Sequence, residues 1–542
     1  MRNAYFHVPK PSNEPVRAYL KGSEERRLLK EELDAQAGRI VDIPLIIGGK
    51  EIFTDETAEV VMPHDHGHVL ARHSIAGENE LKAAIDASVG AKAAWAGMPW
   101  EHRAAIFLRA AEFLAGPWRY KINAATMLGQ SKTAYQAEID SACELTDFLR
   151  FGAYYAEQIF NIQPENAPAI WNRLLYRPLD GFVAAITPFN FTSIAGNLGA
   201  APAMLGNTVI WKPGTTSILS CYYFMRLLME AGLPAGVMNF VPSRGSDISK
   251  YVISDRGLGG VHFTGSTSVF QTIWQNVGAN IANYASYPRL VGETGGKDFV
   301  FAHKSADIGV LVSALVRGSF EYQGQKCSAA SRAFIPYSIW EEVRERLLSA
   351  ISVLKMGDIR DFRNFMGAVI DKASFDNIKG YIERAKANPD TEVLCGGYDD
   401  SKGYFVSPTV ILCETPYAEP MVKEIFGPVL SLYVYPDADL KETLAACDSA
   451  SAYALTGAVI AADRGAIIQI SEALQGAAGN FYINDKPTGA VIGQQPFGGG
   501  RASGTNDKAG SVFNMLRWVN TQTIKENLLP TNEIIYPYMD AE

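Results

Sequence analysis

Apolar positions in this chain follow two rhythms. Leu81, Ile85 and Val89 recur four apart, the spacing of one helix face, and predict an amphipathic helix over 80–94. A second helical run, His102–Leu114, ends at Gly116-Pro117. The segment EERRLLKEELDAQ is helical in composition, with opposite charges near Glu25 and with Leu28 and Leu29 facing inward, so residues 1–45 read as a charged helical lead-in. From Gly181 the pattern changes. Short apolar runs predict strands at 182–186, 208–211, 237–241 and 259–263, and the stretches between and after them predict helices at 194–204, 217–231 and 266–277. Strands alternating with helices mean βαβ units and a parallel sheet. The rhythm repeats from about Phe299 to Pro487. The fold class is therefore α/β, a Rossmann-like domain followed by a second α/β domain. No GxGxxG is present; the phosphate-loop candidate is FTGSTSVF, Phe263–Phe270, where N–H groups at a helix start can hold a pyrophosphate.

Bulk properties narrow the classes. A chain of 542 residues holds two large cores, and 47% hydrophobic with 20% charged residues is ordinary globular composition. A net charge of −9 without a basic stripe argues against nucleic acid as a partner. Six scattered cysteines without a CxxC pair fit reduced thiols and no zinc site. The segment MRNAYFHVPKPSNEP lacks a signal-peptide core and is poor in arginine, and no apolar run is long enough for a membrane span, so a cytoplasmic location is expected. His64, His66 and His68 mimic metal-ligand spacing, but Asp65 and Gly67 read as a turn, and no metal is expected.

Three short motifs carry chemistry. FEYQGQKCSAAS sets one thiol, Cys327, among small residues, as a candidate nucleophile. LVGETGGK, upstream, holds one carboxylate, Glu293, in glycine, as a candidate general base. ITPFNF follows an apolar strand and offers the amide of Asn190 as an oxyanion donor. Taken singly, these residues read as a buried structural cysteine, an exposed glutamate in a turn and a helix-capping asparagine. None of the eight histidines falls in the three motifs, which disfavours a cysteine hydrolase with a histidine base.

In this order the motifs resemble the aldehyde dehydrogenase superfamily, from about Glu14 to Asn520. NEPV, GFVAAITPFNFT, FTGSTSVF, FEYQGQKCSA and YINDKPTGAVIGQQPFGGGRASGTNDK are similar to the branch acting on L-glutamate γ-semialdehyde, which forms when 1-pyrroline-5-carboxylate opens. The resemblance implies NAD-dependent oxidation of that semialdehyde to L-glutamate, the second step of proline degradation. Cys327 would form a thiohemiacetal, hydride transfer to the nicotinamide would leave a thioester, and water activated by Glu293 would release the acid. Asn190 and the N–H of Cys327 would bind the oxyanion.

For the cofactor, the resemblance implies contacts from Thr187, Pro188, Phe189, Gly265, Ser266, Thr267, Ser268 and Val269. It places Lys212 on the adenosine ribose, Glu424 on the nicotinamide ribose and Phe426 against the nicotinamide. Many NAD-preferring relatives carry glutamate three residues after that lysine; Thr215 stands here, so NADP use stays open. For the substrate it implies Ser328 with the backbone of Gly489 and Ala490 on the head carboxylate, Phe191 and Phe497 around the aliphatic middle, and Glu144 near the ammonium.

The implied domains are residues 1–166 with 178–298 for NAD, 299–487 for catalysis, a β-flap of 167–177 with 514–523 for a homodimer or higher homo-oligomer, and an anchor loop at 488–513. The length leaves no room for a fused proline dehydrogenase barrel, so a separate proline dehydrogenase is expected. A dehydrogenase for another semialdehyde, such as succinate semialdehyde, would share Cys327, Glu293 and Asn190 but need no amino acid anchor.

Overall fold

The apolar runs after Gly181 pair with one another in the computed structural model, which describes residues 4–539. Seven strands form one sheet in the order Arg289–Glu293, Leu258–Thr264, Phe182–Ile186, Val209–Lys212, Met238–Phe240, Leu45–Ile47, Lys50–Ile52. The first five are parallel; the last two join antiparallel. Val183 and Ala185 pack on one face with Leu198 and Leu227, while Phe182 and Ala184 pack on the other with Leu81, Ile85 and Ile273. Burial on both faces is why such strands read as unbroken apolar runs.

Chain order along this sheet reverses between Phe182–Ile186 and Leu258–Thr264. In open parallel sheets the crevice beyond the carboxyl ends at such a reversal is where ligands bind. Both the ITPFNF segment and the start of the FTGSTSVF loop leave their strands there.

A second seven-stranded sheet runs Thr391–Cys395, Thr409–Cys413, Val429–Tyr435, Ala330–Pro336, Asp298–Ala302, Thr456–Ile460, Asn480–Ile483, parallel except at its first strand. The segment Thr294–Lys297 joins the edge strand Arg289–Glu293 of the first sheet to the central strand Asp298–Ala302 of the second. Glu293 thus ends one sheet, and Cys327 stands three residues before Ala330–Pro336 of the other.

The predicted helices and strands are observed with ends shifted by at most three residues, as Glu78–Gly97, Trp100–Ala115, Thr192–Met204, Val209–Lys212, Met238–Phe240, Leu258–Thr264 and Thr267–Ala279 among others. Two expectations are corrected. Only Glu24–Ala37 of the lead-in is helical, with Leu29 and Leu33 buried; residues 4–22 are an extended strap without helix or strand. The flap is the antiparallel pair Ile170–Pro178 with Val519–Asn527, because a short helix, Val512–Leu516, occupies the start of the expected second strand. The helix Leu145–Phe160 is entered through a π-helical turn at Glu138–Glu144, which carries Glu144.

Candidate active site

The nucleophile motif is held by strained backbone. Tyr322, Gln323 and Gly324 are consecutively left-handed, with φ of 51°, 55° and 65°. Such a run is costly for residues with a Cβ and persists only where its surroundings over-determine it. The Gln323 side chain does so: its amide donates to the carbonyls of Ser131 (3.0 Å) and Ala368 (2.7 Å), and its Oε1 accepts from Gly367 N–H (3.0 Å). Gln325 Oε1 accepts from Ile370 N–H at 2.9 Å. The Tyr322 ring is fully buried with the Lys132 ammonium 4.4 Å from its centre.

Two glycines let the Glu293 motif pass against this loop. A Cβ at Gly296 would lie 2.5 Å from the carbonyl oxygen of Cys327, and one at Gly295 would lie 2.1 Å from Glu424 Oε2. Gly296 N–H donates to Glu424 Oε1 at 2.9 Å, so base motif, nucleophile and Glu424 pack as one unit. Burial pushes the Cys327 thiol well above the usual range, and the Asp298, Glu293, Glu424 and Glu144 carboxyls add to it. Burial, reinforced by Asp507, also holds Glu293 well above the carboxylate range against the opposing pull of Lys508. Glu293 Oε2 accepts no hydrogen bond among the described residues, as suits a carboxylate whose partner is a reacting water.

Asn190 is not the helix cap. The helix Thr192–Met204 is capped by Asp140, whose two oxygens accept from Thr192 N–H (3.0 Å) and Ser193 N–H (2.9 Å). Lys132 pairs with Asp140 at 2.7 Å and places its ammonium 4.0 Å from the centre of the Phe191 ring. Asn190 is left to donate to the carbonyl of Gln325 at 3.0 Å, two residues before the nucleophile.

One cavity of about 310 Å³ has Cys327, Glu293, Ser328, Gly489, Ala490, Phe191, Phe497 and Glu144 in its wall. Every predicted catalytic or substrate residue is there except Asn190, which is buried beside it. Ser328 Oγ donates to Thr488 Oγ1 at 2.8 Å, tying the nucleophile loop to the segment bearing Gly489. Glu144 accepts from Ser193 Oγ at 3.1 Å, and burial, helped by Asp140, pushes it up to about 8. The wall also holds Asn13, Glu14 and Asp147, which the sequence did not mark as site residues; the NEPV run was the available signal.

The predicted cofactor residues gather at the sheet reversal. Thr187 Oγ1 accepts from Trp211 Nε1 at 3.2 Å, and a Cβ at Gly214 would meet Pro188 and Phe189 within 2.9 Å, so the Lys212 loop lies on the ITPFNF loop. Lys212 has its pKa lowered by burial and forms no ion pair among the described residues. Ser266 caps the helix Thr267–Ala279, accepting from Val269 N–H at 3.4 Å, and Gly265 N–H donates to the Glu293 carbonyl at 3.2 Å. Thr267 Oγ1 lies 3.5 Å from Tyr453 OH and Ser268 Oγ 3.3 Å from Ser266 Oγ. Burial raises Glu424 to about 7. Phe426, left-handed at φ 58°, sets its ring edge-on to Phe189 with centroids 5.9 Å apart. An unpaired cation, a helix start and a half-buried carboxyl at the sheet reversal fit a dinucleotide.

His64, His66 and His68 do not converge. His64 is buried with Nε2 3.4 Å from Asp358; His66 and His68 bond the carbonyls of Asp400 (2.9 Å) and Ala37 (2.8 Å).

Comparison with known proteins agrees over the whole chain. The model of the Aldehyde dehydrogenase family matches residues 53–524. The chain is 51% identical to a mitochondrial delta-1-pyrroline-5-carboxylate dehydrogenase of Dictyostelium discoideum, over 99% of this chain and 97% of that one. It is 48% identical to the Homo sapiens protein of that name, over 98% and 94%. The crystal structure of the Delta-pyrroline-5-carboxylate dehydrogenase of Mycobacterium tuberculosis bound with NAD superposes with a TM-score of 0.96 at 54% identity, covering all of both chains.

Proposed function

The chain belongs to the aldehyde dehydrogenase family, and we propose that it oxidises L-glutamate γ-semialdehyde, the open form of 1-pyrroline-5-carboxylate, to L-glutamate with NAD. The observation that carries this reading is the single cavity in which Cys327 and Glu293 share a wall with Ser328, Gly489 and Ala490.

In the proposed mechanism, the Cys327 sulfur attacks the aldehyde carbon, its own proton passing to solvent. The oxyanion accepts from the Asn190 amide and the Cys327 N–H. Thr187–Phe189, Lys212, Gly265–Val269, Glu424 and Phe426 would hold NAD, which would supply the acceptor for the hydride that leaves this carbon. A thioester then remains on Cys327. Glu293 takes a proton from water, the hydroxide adds to the thioester carbon, and the C–S bond breaks, which releases L-glutamate and leaves Cys327 as a thiolate that takes up a proton.

The far end of the cavity supports an amino acid head. The N–H groups of Gly489 and Ala490 are donors for its carboxylate, and the Ser328 hydroxyl joins them by exchanging its bond to Thr488 for one to the ligand. Glu144, kept substantially protonated near neutral pH by burial, gains a partner when an ammonium enters. Phe191 and Phe497 flank the methylenes between.

The test is NADH formation at 340 nm with pyrroline-5-carboxylate, succinate semialdehyde and a simple aliphatic aldehyde. Strong preference for the first is expected; equal turnover of all three overturns the substrate assignment. Asn190→Ala should lower kcat about 100- to 1,000-fold with KM little changed, since one oxyanion donor acts only in the transition state. Loss confined to KM would remove Asn190 from that role.

The substrate arises by hydrolysis of a cyclic imine, so a separate enzyme oxidising proline to that imine must supply it. A homodimer or larger homo-oligomer is proposed from the flap. Its two strands pair only with each other among the described residues and expose Trp171 and Leu175, whereas a lone two-stranded ribbon is marginal in water. A monomer by light scattering would overturn this. Six free cysteines support a reducing compartment, and a cytoplasmic location is proposed on that basis; activity recovered with mitochondria on fractionation would overturn it.

A further inference from the structure

The strap at residues 4–22 has no secondary structure of its own, yet its side chains are tied down along its length. Val8 N–H donates to Glu157 at 2.6 Å and Tyr19 OH to Glu138 at 2.6 Å. Glu14 accepts from Arg119 (2.6 Å) and Arg150 (2.8 Å). Asn13 stands between these anchors and spends its whole amide on two different elements. Its Nδ2 donates to Asp147 Oδ2 on the helix Leu145–Phe160 at 2.8 Å and to the carbonyl of Ile492 at 2.8 Å. Its Oδ1 accepts from Gln494 Nε2 at 2.9 Å. The backbone N–H of Glu14 adds a bond to Asp147 Oδ1 at 2.8 Å, which fixes the strap's register on the helix.

Ile492 and Gln494 lie just past Gly489 and Ala490. Other bonds hold the segment locally: Thr488 meets Ser328 at one end, Gln495 Oε1 accepts from Val491 N–H at 3.0 Å, the Gln494 and Gln495 N–H groups both donate to the Val491 carbonyl at 3.0 Å, Ile492 is buried, and Gly489 is left-handed at φ 98°. Among the described residues the N–H groups of Gly489 and Ala490 donate to no protein group, so both are free to meet a ligand. The loop is thus pinned to the nucleophile at one end and to the strap at the other, and Asn13, Asp147 and Ile492 all line the cavity.

We infer that Asn13 is a positioning residue for the substrate head: by clamping Ile492 and Gln494 to the helix Leu145–Phe160 it holds the Gly489 and Ala490 N–H groups at one reach from Cys327. It rests on the reading of that loop as the carboxylate anchor. The clamp sets which aldehydes are bound well and takes no part in the chemistry. Substrates with a carboxylate at the far end from the aldehyde depend on it, and an aldehyde without one does not. An aldehyde placed less well by its head loses affinity before it loses intrinsic reactivity.

Asn13→Ala and, separately, Gln494→Ala are assayed with pyrroline-5-carboxylate and with propanal. Asn13→Ala should raise KM for pyrroline-5-carboxylate about tenfold or more with kcat changed less than about threefold, leave kcat/KM for propanal unchanged, and Gln494→Ala should do the same more weakly. Asn13→Asp, which loses the donor and sets a second carboxylate on Asp147, should match or exceed the alanine loss. An unchanged KM for pyrroline-5-carboxylate in all three variants overturns the clamp. So does an equal loss for both aldehydes, which marks general damage to the fold. If the unaltered enzyme does not prefer pyrroline-5-carboxylate over propanal, it is the anchor reading that fails, before any variant is compared.

Discussion

Cys327→Ala should abolish NADH formation from pyrroline-5-carboxylate, by at least about 10⁴-fold, while NAD still binds with an affinity within a few-fold of the unaltered enzyme. The size of the loss follows from the absence of a substitute. Cys143 is the other cysteine in the cavity wall, but its sulfur is engaged 3.8 Å from the Pro15 carbonyl and from Glu138, whereas the Cys327 sulfur forms no hydrogen bond among the described residues. The other four cysteines line no part of the cavity. NAD binding should survive because the cofactor residues stand on other loops, and the close approach of Gly296 to residue 327 is to its backbone carbonyl, which alanine keeps. Stopped assays with the semialdehyde and protein-fluorescence quenching by NAD read the two halves separately. Turnover at a normal rate would show that another group is the nucleophile; loss of NAD binding together with turnover would show that the substitution disturbed the crevice.

How much of this was legible in the chain depends on the residue. FVAAI at 182–186 was readable as a strand because both faces are buried, so its apolar run is unbroken and its bounds are sharp. The flap strand Val519–Asn527, VNTQTIKEN, is mostly exposed and carries no such run, so its start was misplaced onto a helix. The strap has neither period: its order comes from hydrogen bonds to Asp147, Glu138 and Glu157, more than 100 residues away in sequence. Cys327 and Glu293 stood out because each sits in a short run of small residues, and Asn190 because its amide follows an apolar strand. Gln323 was not, since its amide matters only once Ser131 and Ala368 are brought to it. Asp140 likewise displaced Asn190 from the capping role that local sequence alone favoured.

Glu293→Gln should separate the two halves of the reaction. If the carboxylate activates the hydrolytic water, hydride transfer proceeds once and the thioester then accumulates. The expected trace is a burst approaching one NADH per site, followed by a steady rate lower by about 100- to 1,000-fold. A steady rate near that of the unaltered enzyme, or a loss with no burst, would take Glu293 out of this role. The same substitution has an expected effect on stability, and its sign can be worked out. Burial raises the folded pKa of Glu293 well above its ordinary 4.5. Between the unfolded and folded values the folded protein keeps a proton that the unfolded chain has lost. The unfolded state then binds fewer protons, and stability falls as pH rises through that window. Glutamine does not titrate, so this slope disappears. Denaturant midpoints of Glu293→Gln and the unaltered enzyme should agree near pH 4.5 and diverge upward, with glutamine the more stable at pH 8. Activity of the unaltered enzyme rises over the same range, because only the ionised carboxylate can take a proton from water. One buried group is therefore expected to trade stability for deacylation along a single pH axis. Parallel midpoints across that axis would mean that Glu293 is solvated in the folded protein and titrates as it does in the unfolded chain.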